Sequence, residues 1–453
     1  MSHNLLFLLA FVATLLLIVS CAWGGRTQAR DSSEFSLSGR RAGSWAVSGA
    51  ITGTLVGGAS TVGTAQLAYL YGLSAWWFTL GAGLACLFLG VFLAAPLRQS
   101  NVVTIPQFIS QYYGERARTI ASIYASVGMF IQIVAQLLAC GAILAVLFDL
   151  PLWASASLSA LLVILLTLGG GMKSAGTIGL IKMALIYLTM VVSGGLAYQA
   201  AGGWSGLRAT FPAFPWFSLF GYGTTEGLSD LTSMLVGVIS TQTYLQAVFS
   251  AESEKSARNG ALLSAALIPP LGLLGVLVGL YMRQLDPHLK SALALPAFIE
   301  QHLPAALAGV AFATLLIAAI GTASGLALGV ATTLKIDLLG RRGRHQESLF
   351  FFRGLTALVV LAAFVLLLGN LGTAIMDWSF LSMGLRGATL CLPVLFAIFL
   401  RPRHLQRAGT LSILIAPICV ILAGIFSLTL LSPLYIGLLI SGVLLTFGMI
   451  RPS

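Results

Sequence analysis

The sequence predicts an all-α integral membrane protein of about thirteen transmembrane helices. Three observations predict it. Of 453 residues, 58% are hydrophobic and only 8% are charged, whereas about a quarter are charged in a soluble domain. The apolar residues gather in runs of roughly 20, the length that crosses a hydrocarbon core as a helix. The basic residues sit singly or in small groups between those runs, where they orient membrane helices.

The spans fall near residues 4–23, 45–70, 73–96, 120–148, 152–169, 175–199, 229–250, 260–282, 305–333, 349–370, 379–400, 408–429 and 431–450. The first reads as an uncleaved helix, because it exceeds a typical signal core, no Lys or Arg precedes it, and Arg26 and Arg30 follow it. Within the second, GTLVGGASTVGTA (53–65) places Gly, Ser and Thr at the centre of an apolar helix, which predicts a break. Unwound backbone at the midplane is tolerated where it lines a cavity, and its freed carbonyls can coordinate a cation or solute. Close packing through small residues accounts for the same composition equally well.

Residues 101–114, NVVTIPQFISQYYG, predict a short interfacial helix. Span 120–148 then carries Gln132 and Gln136 one turn apart on one face. Residues 200–227, rich in Gly, Pro, Phe and Trp, predict an external loop. Five spans after the first break, VGVISTQTYLQ (236–246) supplies a second, and such a pair marks transporters built from inverted repeats. Span 305–333 has a polar stripe in which Thr322 lies one turn from Ala318. Arg386 stands inside span 379–400.

With the N-terminus outside, 19 of the 24 Lys and Arg fall on the cytoplasmic side; Arg208, Arg283 and Lys290 fall outside, and Lys182 and Arg386 lie within spans. This predicts a multi-pass protein of the cell inner (plasma) membrane with a cytoplasmic C-terminus. The net charge of +11 follows from that partition, so nucleic acid is not an expected partner. All five cysteines lie in apolar segments without paired spacing and read as packing residues. No acidic residue or His falls at a span centre, no glycine loop for nucleotide precedes a Lys, and no catalytic constellation lies within a span. The chain is therefore not expected to be an enzyme or to use ATP directly.

The runs FSLSGRRAGSWAVSGAITGTLVGGASTVGTAQLAYLYG (35–72), TIPQFISQYYG (104–114) and ATLLIAAIGTASGLALGVATTLKIDLL (313–339) resemble the sodium:solute symporter family, and the resemblance extends from about residue 35 to 440. It implies a LeuT-type core of ten helices in two inverted repeats, roughly 45–199 and 229–400, with one extra helix before (4–23) and two after (408–450), all in one transporter domain. It also implies a sodium ion held by backbone carbonyls of Ala59 and Val62 on the first core helix, and by Ala318, Gly321 and Thr322 on the eighth. Gly321 lacks the expected hydroxyl and could serve only through its backbone, which weakens a site for a hard cation.

Further departures concern charge. Gly179 stands where the family often has Asp, Lys182 lies one turn further on, and Ala247 follows Gln246 where many members have Arg. Lys182 has two readings. Snorkelling to the cytoplasmic surface is favoured, because the residue lies about seven positions into its span. Alternatively, its ammonium takes the ion's place, as in some sodium-independent transporters of the wider fold class. Arg386 could hold a solute carboxylate through its two-pronged donor geometry, pair with Asp377 or Asp230, or reach the headgroups. Ser60, Thr61, Gln66, Gln132, Gln136, Gln242 and Tyr244 complete a candidate solute pocket with Arg386, interhelical hydrogen bonding being their competing role.

The expected function is secondary active transport by alternating access, as sodium-coupled symport of a small organic solute, a carboxylate or amino acid. The expected partners are that solute, a sodium ion and the lipid bilayer, with no obligatory protein partner. The alternatives are a sodium-independent or proton-coupled transporter in which Lys182 replaces the ion, and a membrane sensor that binds solute without moving it.

Overall fold

Without water to satisfy the backbone, an apolar segment in a bilayer closes its hydrogen bonds on itself as a helix. The computed structural model describes residues 5–24, 40–169, 175–334, 349–400, 405–426 and 432–450, and a helix meets each expected span. Helix α1 (Leu5–Gly24) precedes a span in two halves, α2 (Ser44–Leu55) and α3 (Thr64–Tyr71), joined through a π-helical turn at Ala59–Gly63. The next span comprises α4 (Trp77–Phe88) and α5 (Ala94–Gln99). Then follow α6 (Ile105–Phe148), α7 (Leu152–Gly169) and α8 (Ala175–Ala200). The expected loop at 200–227 is partly helical, forming α9 (Gly203–Thr210) and α10 (Ala213–Trp216).

The second broken span consists of α11 (Thr224–Ile239) and α12 (Gln242–Phe249), and leads into α13 (Glu254–Leu285). A short helix that the hydrophobic pattern does not announce, α14 (Ala294–His302), precedes α15 (Ala305–Thr333), α16 (Leu349–Leu368), α17 (Ile375–Phe399), α18 (Gln406–Ile425) and α19 (Pro433–Ile450). The short helix expected after residue 101 is the first part of α6. Thr104 and Gln107 form a reciprocal cap at its start, and Gly114 (φ 84°, ψ 175°) kinks it away from the long span that follows. Of the basic residues assigned to the inner side, Arg26, Arg30, Lys173, Lys335, Arg341, Arg342, Arg344, Arg401, Arg403 and Arg451 lie outside the described residues, as do Asp337 and Phe35–Gly39 of the family-like runs.

The central packing joins α6 to α15 and α17, α2 to α8 and α13, and α11 to α17. Cys86, Cys140 and Cys391 are buried, unpaired members of this core. The contact of α2 with α8 is set by three glycines. A Cβ on Gly53 would stand 2.6 Å from the Cα of Gly179, and one on Gly179 would stand 2.1 Å from the carbonyl oxygen of Gly49. Small residues let two backbones approach this closely. Gly179 thus occupies a place with no room for the family's Asp. Gly179→Ala is expected to force the helices apart at a cost of about 1–3 kcal/mol, the usual penalty of overpacking. Gly195→Ala on the same helix, where nothing lies within 4 Å of the new Cβ, serves as the control in thermal unfolding.

Candidate cation and solute sites

The first break is built from local sequence. Val56 leaves the helical region (φ −84°, ψ 94°) and ends α2. The amides beyond it turn to side chains: Gly57 N–H donates to Ser60 Oγ at 2.9 Å, and Gly58 N–H donates to Gln136 Oε1 of α6 at 2.9 Å. The amide four residues after Gly53 is thereby diverted, and the Gly53 carbonyl is left at the C-terminal, electronegative end of α2.

Lys182 takes that carbonyl. From α8 its Nζ donates to Gly53 O at 2.7 Å, to Thr322 Oγ1 at 3.1 Å and to Ala318 O at 3.3 Å. Thr322 Oγ1 in turn donates to Ala318 O at 2.8 Å. The three donors of the ammonium thus meet three oxygens from two helices. Lys182 is 7% exposed, and this overturns the snorkelling reading. The ammonium finds its oxygens on α2 and α15 instead of crossing the seven residues to the span's end.

Of the expected sodium ligands, Ala318 and Thr322 converge on this point. Ala59 and Val62 instead lie in the buried π-helical turn, where Ala59 O accepts the N–H of Thr64. The chain unwinds at Val56–Gly57, upstream of the expected position, and Gly53 O is among the carbonyls this opens. A Cβ on Gly321 would meet nothing within 4 Å, so the missing hydroxyl leaves open space.

The second break ends α11 at Ile239. Ser240 (φ −106°, ψ 4°) and Thr241 (φ −95°, ψ 120°) leave the helical conformation before α12 begins. Close by, α17 turns Ser379, Ser382, Met383 and Arg386 along one face. Arg386 is 1% exposed. It donates through Nε to Ser382 O at 3.1 Å, and through Nη2 to Ser382 Oγ at 2.8 Å and Met383 Sδ at 3.4 Å. The ion pairs considered for it with Asp377 and Asp230 are not formed, and its burial removes it from the headgroups; among described residues the ion pair present is Arg118 with Glu115. Gln132 donates to Ser379 Oγ at 3.0 Å, and Ser382 Oγ donates to Gly128 O at 2.6 Å.

The other candidate pocket residues have structural partners. Ser60 and Thr61 donate back to Gly57 O. Gln66 accepts from Ile375 N–H at 2.8 Å and donates to Ser291 Oγ at 3.4 Å, while Tyr69 donates to Asp286 O at 2.7 Å. At the opposite end, Gln242 accepts from Ile105 N–H at 2.8 Å and donates to Val103 O at 3.3 Å. There Ala42 also pairs with Ala251 in an isolated β-bridge, and Arg98 Nε donates to Ala251 O at 2.6 Å. The first broken span is therefore tied at both ends, and the Gln242–Ala251 end of the second is held beside its start, with the cation and guanidinium clusters between. Sequence reasoning missed Gly53 and Ser382. The freeing of Gly53 O depends on the diverted Gly57 amide, and the role of Ser382 on the helix pairing, neither of which the sequence spells out.

The model of the sodium:solute symporter family matches residues 35–416. The chain belongs to the sodium:solute symporter family. This symporter-family chain is similar to the high affinity choline transporter 1 of Homo sapiens, 28% identical over 293 residues, which are 61% of this chain and 50% of that protein. The chain thus spans about half the length of that relative. It is also 20% identical to the sodium/glucose cotransporter of Vibrio parahaemolyticus over 76% of this chain and 71% of that protein. In structure it is similar to a Na+-coupled sialic acid symporter (TM-score 0.74, 19% identity, covering 98% of this chain and 97% of the other). It is likewise similar to a nucleobase-cation-symport-1 family transporter in a closed conformation (TM-score 0.61, 13% identity, covering 92% and 95%). The fold is the LeuT-type fold.

Thr322→Ala removes one of the three acceptors of a buried ammonium. It is expected to lower stability by about 1.5–3 kcal/mol, the range for hydrogen bonds to charged groups. Thr322→Ser, which keeps the hydroxyl, is expected to lose much less. Thermal unfolding of both variants in one detergent checks this.

Proposed function

We propose that this protein is a secondary transporter of a small organic solute, working by alternating access, in which the Lys182 ammonium stands as a fixed cation where family members bind sodium. The observation that carries this reading is the triple hydrogen bond of Lys182 Nζ to Gly53 O, Thr322 Oγ1 and Ala318 O. Two of these oxygens belong to the set that the family uses for the ion. A cation there links the broken α2–α3 span to α15, so closure of the two about a solute does not require an ion from solution. The distribution of basic residues supports an outer N-terminus and a cytoplasmic C-terminus in the plasma membrane.

A second reading, sodium-coupled symport, is favoured by the family match over residues 35–416 and by the Ala318 and Thr322 oxygens. In it, Lys182 must leave its oxygens before sodium enters. A ligand that binds the folded state raises apparent stability by mass action, so the two readings separate without a known solute. Thermal unfolding is measured in sodium, potassium and N-methylglucamine chloride at matched ionic strength, for the wild type and Lys182→Ala. The fixed-cation reading expects one wild-type melting temperature in all three salts. It expects Lys182→Ala to be less stable and to gain a saturable, sodium-specific stabilisation. A saturable sodium shift in the wild type would overturn it in favour of sodium coupling.

A further inference from the structure

Arg386 is a buried guanidinium with neutral partners only. Its Nε and Nη2 are engaged by Ser382 and Met383, and Nη1 keeps its two N–H groups without a protein partner. Its stem lies across Gly128 of α6, where a Cβ would stand 2.4 Å from Arg386 Cγ. No described acidic residue lies in the middle of a span. Asp377 is in the first turn of α17 and Asp230 in the second turn of α11. Lys182 adds a second positive charge to the same core and has no acidic partner either. Uncompensated charge in the membrane is costly and is retained where a ligand or pathway uses it.

Two further buried polar groups near this guanidinium lack partners. Gln132 is 5% exposed; its Nε2 holds Ser379 of α17, while its Oε1 accepts from nothing. Ser240 is 1% exposed at the second break, and its hydroxyl is also unpartnered. Its neighbour Thr241 places Oγ1 3.9 Å from the same Met383 sulfur that Arg386 touches. Buried polar groups without partners call for an explanation, and these two lie beside a guanidinium with an unengaged nitrogen.

We propose that Arg386 and Gln132 form the solute site, and that the solute is a small hydroxycarboxylate anion. Its carboxylate pairs with Arg386, and its hydroxyl donates to Gln132 Oε1. This inference rests on the reading of the protein as a solute transporter and names its substrate class. A guanidinium and a carboxylate match in planar, two-pronged geometry. The donor beside the carboxylate is a neutral hydroxyl, since an ammonium would add a third positive charge to a core without acids. A quaternary ammonium, the solute named for the choline relatives, is disfavoured for the same reason.

The test is thermal unfolding and equilibrium binding with the purified protein, in both sodium and potassium chloride. The probes are glycolate, lactate, glycerate and gluconate, with propionate lacking the hydroxyl, and alanine and choline carrying positive charge. The expected result is saturable stabilisation by at least one hydroxycarboxylate and weaker binding of its deoxy counterpart. Arg386→Lys should weaken that binding roughly ten- to hundredfold, the loss of a hydrogen bond to a charged group. Arg386→Met should abolish it without lowering the melting temperature of the ligand-free protein, because no counter-charge is left behind. Gln132→Leu, which leaves Arg386 in place, should erase the preference for the hydroxylated probe. Stabilisation by choline with none by carboxylates, no response to any carboxylate, or equal carboxylate binding by the wild type and Arg386→Met would overturn the proposal. The sodium response of the solute-free protein tests Lys182 separately, so failure of either idea is seen without the other.

Discussion

A helix interrupted inside a bilayer leaves amides and carbonyls that no water can satisfy, and every such group must find a partner within the protein. At the first break the partners are Ser60 and Gln136 for the amides and Lys182 for the Gly53 carbonyl. Much of the remaining architecture serves this exchange. The glycine contact between α2 and α8 brings Lys182 within reach, α6 delivers Gln136, and α15 completes the ammonium's shell with Ala318 and Thr322. A charged donor at the C-terminal end of a half-helix is also stabilised by the aligned peptide dipoles there.

The second break follows a different rule. Its neighbour on α17 is another cation, Arg386, whose acceptors are a hydroxyl, a backbone carbonyl and a thioether. Ser382 meets both sides of the contact, since its hydroxyl accepts from Arg386 and donates to Gly128 O of α6. The two positive groups therefore differ in completeness: Lys182 has its three donors met by protein, whereas Arg386 keeps one nitrogen unengaged.

Most of the fold was legible because bilayer thickness dictates segment length, and glycine with hydroxyl residues marks where an apolar helix can open. The breaks at Val56–Gly57 and Ser240–Thr241 fall inside the stretches that composition singled out. The surroundings of Lys182 were legible only as the second of two readings, drawn from the family resemblance. Its position in the chain suggests a route to the surface, and only the pairing of Gly179 with Gly49 and Gly53, a contact between distant segments, offers nearer oxygens. For the same reason Gln66 and Gln242 looked like pocket residues. An amide in a span is read as available until a backbone from another helix, Ile375 or Ile105, is seen to claim it. Helix α14 was missed because nine residues of mixed polarity carry no span-length signal.

The linkage of Lys182 to oxygens on both α2 and α15 has a thermodynamic consequence. A dissolved ion enters from one face and leaves by the other, carrying its electrochemical gradient into the work of the cycle. An ammonium on a four-carbon tether remains with the protein throughout. On the fixed-cation reading, the carrier harvests no sodium gradient, and the solute's own concentration difference, with the membrane voltage acting on its charge, sets where transport comes to rest.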